Sequence, residues 1–262
     1  MASRLVAHPR ERDKYSSAEP IAYSYYSLYP KKNQARINRN LASGEINQRC
    51  YTKSMPIRVL NTLTNKKEIL EKPPGNEPLR IFVCGQTVYD HAHLGHARTY
   101  IFYDVLARYL RSIGWNVKYA QNITDIDDKI IKRAEEQKKD WKEVADFFTK
   151  AYLEDAKTLG INTVDLYPQA TEYMDEIKKQ IGILIEKKFA YKTGLGIYFE
   201  VRKFDDYGKL SKQNLNELRP GYRIEPDPGK KDPLDFALWK FRDEEPFWES
   251  PWGKGRPGWH IE

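Results

Sequence analysis

Cysteine is scarce: the 262 residues hold two, Cys50 and Cys84. That is too few to staple a secreted scaffold, and it fits a reducing compartment such as the cytoplasm. Long apolar runs are missing as well. No stretch approaches the ~18 uncharged apolar residues of a membrane span, which excludes a transmembrane helix and argues for no membrane partner. No apolar segment near the N-terminus has the form of a secretory signal. There is no internal repeat and no low-complexity tract. Outside its first 55 residues the chain also lacks net charge. The formal total is +7, from 44 Lys and Arg against 37 Asp and Glu. Ten of those basic side chains and four of the acidic ones lie in residues 1–55, which leaves 34 against 33 in the remainder.

Residues 1–55 are rich in Ser, Tyr, Asn, Arg and Lys and show no sustained apolar period. They read as a basic extension outside the fold: a disordered tail able to touch nucleic acid, or a transit peptide for mitochondria or another organelle. From Met55 the pattern becomes regular. Ile57 to Leu60 and Ile69-Leu70 read as short strands. Ile81 to Cys84 is a short apolar run bounded by glycine, as in a buried parallel strand. Apolar residues then recur with helical spacing at Ile101, Val105, Leu106, Tyr109, Leu110 and Ile113, and Gly114 stops them. Val117 to Ile123 reads as the next strand, with Asp125 as the N-cap of a following helix. This alternation of strand and helix predicts a βαβ unit and a parallel α/β sheet. Helices are expected at Trp141 to Leu159 and Thr171 to Lys188, and a hairpin at Tyr191 to Val201. Phe236 to Phe241 reads as a strand returning to the sheet, and the stretch after it has turn chemistry.

The segment densest in chemistry is CGQTVYDHAHLGH, Cys84 to His96. It carries three of the five histidines, His91, His93 and His96, and one of the two cysteines. It leaves the carboxyl end of a strand and opens a helix, the place where α/β sheets bind ligands. Residue types and spacing leave three readings open. H-x-H-x-x-H with Cys84 could be a metal site. The histidines could be satisfied polar groups at a helix end. Alternatively, His93-Leu94-Gly95-His96 could be a nucleotide signature in which both imidazoles face phosphate, since adenylate formation builds charge that donors at a helix N-terminus stabilise.

The wider string CGQTVYDHAHLGHARTYIFYDVLARYL resembles the His-Ile-Gly-His region of class I aminoacyl-tRNA synthetases, and of the cysteinyl-tRNA synthetase family in particular. Val59 to Glu68, YAQNITDIDDKIIKRA (Tyr119 to Ala134), DPLDFALWK (Asp232 to Lys240) and SPWGKGRPGWHIE (Ser250 to Glu262) resemble the same family in the same order. The resemblance runs from about Met55 to Glu262. It implies a Rossmann-type class I synthetase catalytic domain, with the nucleotide-binding first half at 56–135. A helical and hairpin connective-peptide insertion then occupies 136–235, and the start of the second half 236–262. It implies that His93 and His96 act on ATP during adenylation and that Gly95 is the signature glycine. Gly85, Thr87 and Thr124 would lie about the nucleotide and amino-acid pocket, with Trp259 as its aromatic wall. Cys84 stands at the first ligand position of a zinc ion that binds the substrate thiol. The implied partners are cysteine, ATP with Mg and the tRNA for cysteine. Asp125, Asp127 and Asp128 are read as capping and salt-bridging residues rather than a cation site, and His91 receives no role.

The family's remaining zinc ligands are a Cys directly after GWHIE, then a His and a Glu. These, the Lys-Met-Ser-Lys-Ser loop and the helical anticodon-end domain are not in the 262 residues. The chain therefore reads as an incomplete catalytic domain, truncated and inactive alone. Two other readings stay open: a related ligase joining cysteine to an amino-sugar glycoside, and a non-catalytic paralogue that binds nucleic acid or a partner.

Overall fold

The computed structural model describes residues 56–215 and 227–262. The expectations for residues 1–55 lie outside the described residues. Residues 57–262 form one compact unit.

The first two strands, β1 (Arg58–Asn61) and β2 (Lys66–Ile69), make an antiparallel hairpin. The core βαβ unit follows. Strand β3 (Leu79–Val83) pairs in parallel with β4 (Val117–Gln121), from Leu79 against Val117 to Val83 against Gln121. Helix α1 (Leu94–Ser112) makes the crossover between them. The far edge of β4 takes a third parallel segment, through bridges Ala120 to Leu166 and Ile123 to Gln169. Helices α2 (Asp128–Gln137) and α3 (Trp141–Thr158) fill the connection from β4 to that segment.

The helical spacing of Ile101, Val105, Leu106, Tyr109, Leu110 and Ile113 marks helix α1 but does not mark its buried side. Its buried residues are Tyr100, Asp104, Ala107 and Leu110, while Ile101, Val105, Tyr109 and Ile113 are exposed. The helix is apolar on both sides, so its period reveals the helix but not which side meets the sheet. The inner side packs with Val83, Val117 and Tyr119 of the sheet and with Tyr152, Ala156 and Ile161. Asp104 sits among these apolar groups because it serves as an acceptor. Its Oδ1 takes hydrogen bonds from Asn162 N (2.9 Å), Thr163 N (3.0 Å) and Thr163 Oγ1 (2.7 Å), and Oδ2 meets Arg108 at 2.5 Å.

The expected cap at Asp125 is corrected by two residues. Asp127 caps α2, its Oδ1 accepting from Lys129 N at 2.9 Å. Thr124 still belongs to the strand ladder, so the helix cannot begin directly after it. Asp125 is 5% exposed and caps a different turn, accepting from Thr171 N (3.0 Å) and Thr171 Oγ1 at the start of the 3₁₀ turn Ala170–Tyr173. Asp127→Ala is expected to cost about 1 kcal/mol through loss of the cap. A urea midpoint unchanged from wild type would contradict that role.

Beyond α4 (Met174–Glu186), strands β5 (Ala190–Lys192), β6 (Gly196–Phe199), β7 (Phe236–Phe241) and β8 (Gly255–Pro257) form an antiparallel sheet in that order. The expectation that β7 rejoins the parallel sheet is therefore corrected: it pairs with β6 and β8. Three of the four residues of β6 are buried, and β5 covers only one of its edges, so β6 offers β7 an apolar, unpaired neighbour. The final stretch, read as turns, also supplies β8. One apolar cluster draws on Ile126 and Ile131, on Met174, Ile177 and Ile181, and on Leu238, Trp239 and Ile261. Asp128, in the first turn of α2, binds Lys240 Nζ at 2.7 Å and Arg256 Nη2. These ties fix the segment after β8 beside the carboxyl end of β4.

Candidate functional site

The site begins where β3 ends. At Gly85 the backbone passes so close to β4 that an added Cβ would lie 1.6 Å from the Asn122 carbonyl oxygen. No other residue fits there without moving one strand. Gly85 N donates to Asn122 Oδ1 (2.8 Å), and the ladder resumes with Thr124 N to Gln86 O (3.0 Å) and Val88 N to Thr124 O (3.2 Å). Thr87 lies opposite Thr124 in this short parallel bridge. The two strand ends are thus locked together directly beside the expected ligand residues.

Helix α1 starts on its own histidines. His93 is the N-cap, and its Nδ1 accepts from Gly95 N at 3.0 Å. His96, in the N3 position, accepts from His93 N through its own Nδ1 at 3.3 Å. The result is a reciprocal capping box built from two imidazoles. Their rings stack with centroids 3.9 Å apart and planes 18° apart. Gly95 is required by the cap itself. A Cβ there would fall 2.8–2.9 Å from Cε1 and Nδ1 of the His93 ring. In the neutral form each imidazole has one acceptor and one donor nitrogen. With both Nδ1 atoms accepting, both protons sit on Nε2. The helix end therefore presents two N–H donors in addition to its free backbone N–H groups and partial positive charge.

Beside these strand ends lies a cavity of about 180 Å³ lined by Phe82, Cys84, Asn122, Thr124, Trp259, His260 and Glu262. Three expected residues, Cys84, Thr124 and Trp259, meet here. Cys84 is a free, exposed thiol whose surroundings and the charge of Glu262 push its pKa up. Trp259 is 51% exposed and lies edge-on to His260. Glu262 lines the cavity with Thr124, and burial, with Asp127 and Asp125 nearby, pushes its carboxyl up to about 8. Sequence reasoning missed Phe82, Asn122, His260 and Glu262. His260 and Glu262 stand inside the motif GWHIE, and Asn122 sits two residues before Thr124. Their types alone gave no signal, because only the pairing of strand ends brings them together.

The self-contained metal reading finds no geometry to support it. His91 packs edge-on against Phe148 (5.2 Å) and Phe147 (6.2 Å). His93 and His96 commit their Nδ1 atoms to the helix. Among the described residues no group of three or more His, Cys, Asp or Glu side chains is placed to hold a metal ion. Cys84 offers one sulfur donor, so the described residues do not by themselves make a zinc site, which takes about four ligands. Among the described residues no helix is long and apolar enough to cross a membrane.

The family model for the catalytic domain of tRNA synthetases class I (C) matches residues 70–262. The cysteine--tRNA ligases of Thermococcus gammatolerans and Pyrococcus abyssi are each 56% identical over 209 residues, 79% of this chain and 44% of theirs. That of Methanococcus maripaludis is 54% identical over 207 residues, 79% of this chain and 43% of its own. The chain thus spans less than half the length of these relatives. A Mycobacterium tuberculosis methionyl-tRNA synthetase bound by methionyl-adenylate aligns with a TM-score of 0.40 at 18% identity, over 44% of this chain and 23% of that one. With that family model covering most of its length, the chain belongs to the class I (C) tRNA synthetase catalytic-domain family, a Rossmann-type α/β fold.

Proposed function

We propose that this chain supplies the ATP- and amino-acid-binding part of an enzyme that activates cysteine with ATP and passes it to tRNA. The observation that carries the reading is the paired imidazole cap, which turns two Nε2–H donors outward at the start of α1. In the first step a carboxylate oxygen of cysteine bonds to the α-phosphorus of ATP, which enters with Mg. The bond from that phosphorus to the bridging oxygen breaks, and pyrophosphate leaves with the electron pair. Negative charge accumulates on the α-phosphoryl oxygens, and fixed donors at a helix N-terminus stabilise it without reorganising. In the second step a terminal ribose hydroxyl of the tRNA attacks the carbonyl of the adenylate and AMP leaves. Residues 56–135 would form the nucleotide-binding half, 136–235 the connective insertion, and 236–262 the start of the second half.

The cavity holding Cys84 and Trp259 is the proposed seat of the cysteine side chain. Bound there with further ligands from outside these residues, a zinc ion would supply thiol selectivity, which apolar shape alone provides poorly between near-isosteres. The reading is tested on the polypeptide extended to the length of its relatives. It should exchange labelled pyrophosphate into ATP with cysteine but not with serine, and should charge tRNA. Activation of cysteine without charging of any tRNA would favour a small-molecule ligase. No exchange from a folded, zinc-loaded protein would overturn the reading. Cys84→Ser should lower zinc content, and an unchanged metal content would remove Cys84 from the proposed ligand set.

A further inference from the structure

The outward Nε2–H of His96 depends on the plane of its ring, and the capping bond alone does not set that plane. His96 Nδ1 accepts from His93 N at 3.3 Å, longer than the 3.0 Å bond from Gly95 N to His93 Nδ1. So long a bond restrains its acceptor only weakly. The ring of His93 stacks on His96 but is itself exposed. Tyr100 differs. It follows His96 by four residues, the spacing that makes side chains neighbours along a helix. Its ring centroid lies 6.0 Å from that of His96, with the planes 7° apart. Tyr100 is 3% exposed and belongs to the apolar cluster on the inner side of α1. Tyr152 of α3 meets it edge-on, with centroids 5.6 Å apart. Tyr152 is in turn tied to the sheet: its hydroxyl donates to the buried Gln121 Oε1 at 2.9 Å, and Gln121 lies opposite Val83 in the parallel ladder. A run of contacts thus leads from the β3–β4 pair through α3 to the imidazole of His96.

We infer that Tyr100 is a positioning residue for His96. Its buried ring fixes the plane of the imidazole, and the bond from His93 N then selects which edge of that ring faces the helix. The inference rests on the reading that His96 donates to the α-phosphoryl group. A half-turn about the Cβ–Cγ bond of His96 exchanges Nδ1 with Cδ2 and Nε2 with Cε1, which replaces the outward N–H by a C–H. A ring that leaves its plane also loses the bond at Nδ1, and with it the preference for the Nε2–H tautomer. Donors stabilise developing charge best when they are already aimed before the reaction begins. The aromatic ring carries this role and the hydroxyl does not, because the ring is what lies parallel to His96.

The test reads the His96 tautomer in the 262-residue chain by two-bond ¹⁵N–¹H correlation at slightly alkaline pH, where the imidazole is neutral. Wild type should show a single form, Nδ1 bare and Nε2 protonated; a mixture of tautomers in wild type would overturn the inference without any variant. Tyr100→Phe should keep that form, and Tyr100→Leu should show averaged ¹⁵N shifts. In the extended polypeptide Tyr100→Leu should lower kcat for pyrophosphate exchange at least tenfold, with KM for ATP and cysteine within twofold of wild type, and Tyr100→Phe should restore kcat. Leu110→Ala is the control for loosened packing. Leu110 is fully buried in the same cluster. That variant should lower the melting temperature at least as much as Tyr100→Leu and leave the tautomer and kcat alone. A single tautomer retained in folded Tyr100→Leu, or equal averaging in Leu110→Ala, would sink the assignment. Should Tyr100→Leu fail to fold, Tyr100→Met is read in the same way. The two failures are separable: absence of exchange by wild type counts against the proposed activity and leaves the tautomer comparison standing, whereas undiminished exchange in Tyr100→Leu counts against the inference alone.

Discussion

Replacing His96 by alanine is expected to slow cysteine-dependent pyrophosphate exchange by the extended polypeptide about 10²- to 10³-fold, the usual loss when one preorganised donor to a developing oxyanion is removed. The complication is structural. His96 and His93 also start α1, so an alanine at either place removes part of a cap, worth about 1 kcal/mol. A second variant separates the two jobs. In His93→Asn the amide oxygen can accept from Gly95 N as the imidazole Nδ1 does now, and asparagine is among the best N-caps. It has no donor at the Nε2 position. His93→Asn should therefore melt within a degree or two of wild type and still lose at least tenfold in exchange. Full activity in His93→Asn would reduce the histidine pair to a capping device. A large fall in melting temperature with proportionate loss of activity would show that the cap alone was being measured.

Asp104→Ala carries the largest expected stability effect, about 3–5 kcal/mol by urea unfolding, or of order 10 °C in melting temperature. Asp104 is 4% exposed, and its removal strands Thr163 N and Thr163 Oγ1 in the buried interior and takes the acceptor from Asn162 N nearer the surface. These groups lie on the loop that delivers the third parallel segment to β4, so the damage should extend to the sheet. Asp104→Asn keeps one acceptor oxygen and should lose roughly half as much. The pH dependence has a definite sign. Burial alone would raise the pKa of Asp104, but the hydrogen bonds from Thr163, Arg108 and the backbone outweigh it and hold the group below the ordinary carboxylate value. A depressed folded pKa gives stability that is fully present above the unfolded value of ~3.9. That stability is lost as pH falls through the folded pKa. The gap between wild type and Asp104→Asn should thus be constant near neutrality and close in acid. A gap that widened below pH 4 would contradict the assignment.

Much of the first half could be read from residue order. The strand at Ile81, the helix stopped at Gly114 and the parallel strand at Val117 follow from apolar spacing and punctuation, and the histidine pair follows from its motif. What escaped depended on partners distant in sequence. Asp104 interrupts an apolar face for the sake of donors 58 and 59 residues away. Of three adjacent carboxylates, Asp127 became the cap because Thr124 was held in the ladder. Phe236 to Phe241 has strand composition, but only the unpaired edge of β6 decides which sheet it joins. Glu262 looked like the tail of a motif until the strands placed it against Thr124.

The reciprocal cap also sets an acid limit for the site. An imidazolium has no lone pair on Nδ1, so each proton taken up by the pair breaks one of the bonds that start α1. Burial, and then the neighbouring His93, already lower the pKa of His96, which keeps its ring neutral further into acid than an ordinary histidine. The depressed value means that its contribution to folding is present at neutral pH and disappears as pH falls through the folded pKa. Protonation of His96 would therefore break its half of the reciprocal cap and release the ring from the orientation that aims its Nε2–H, without any change in the strands behind it.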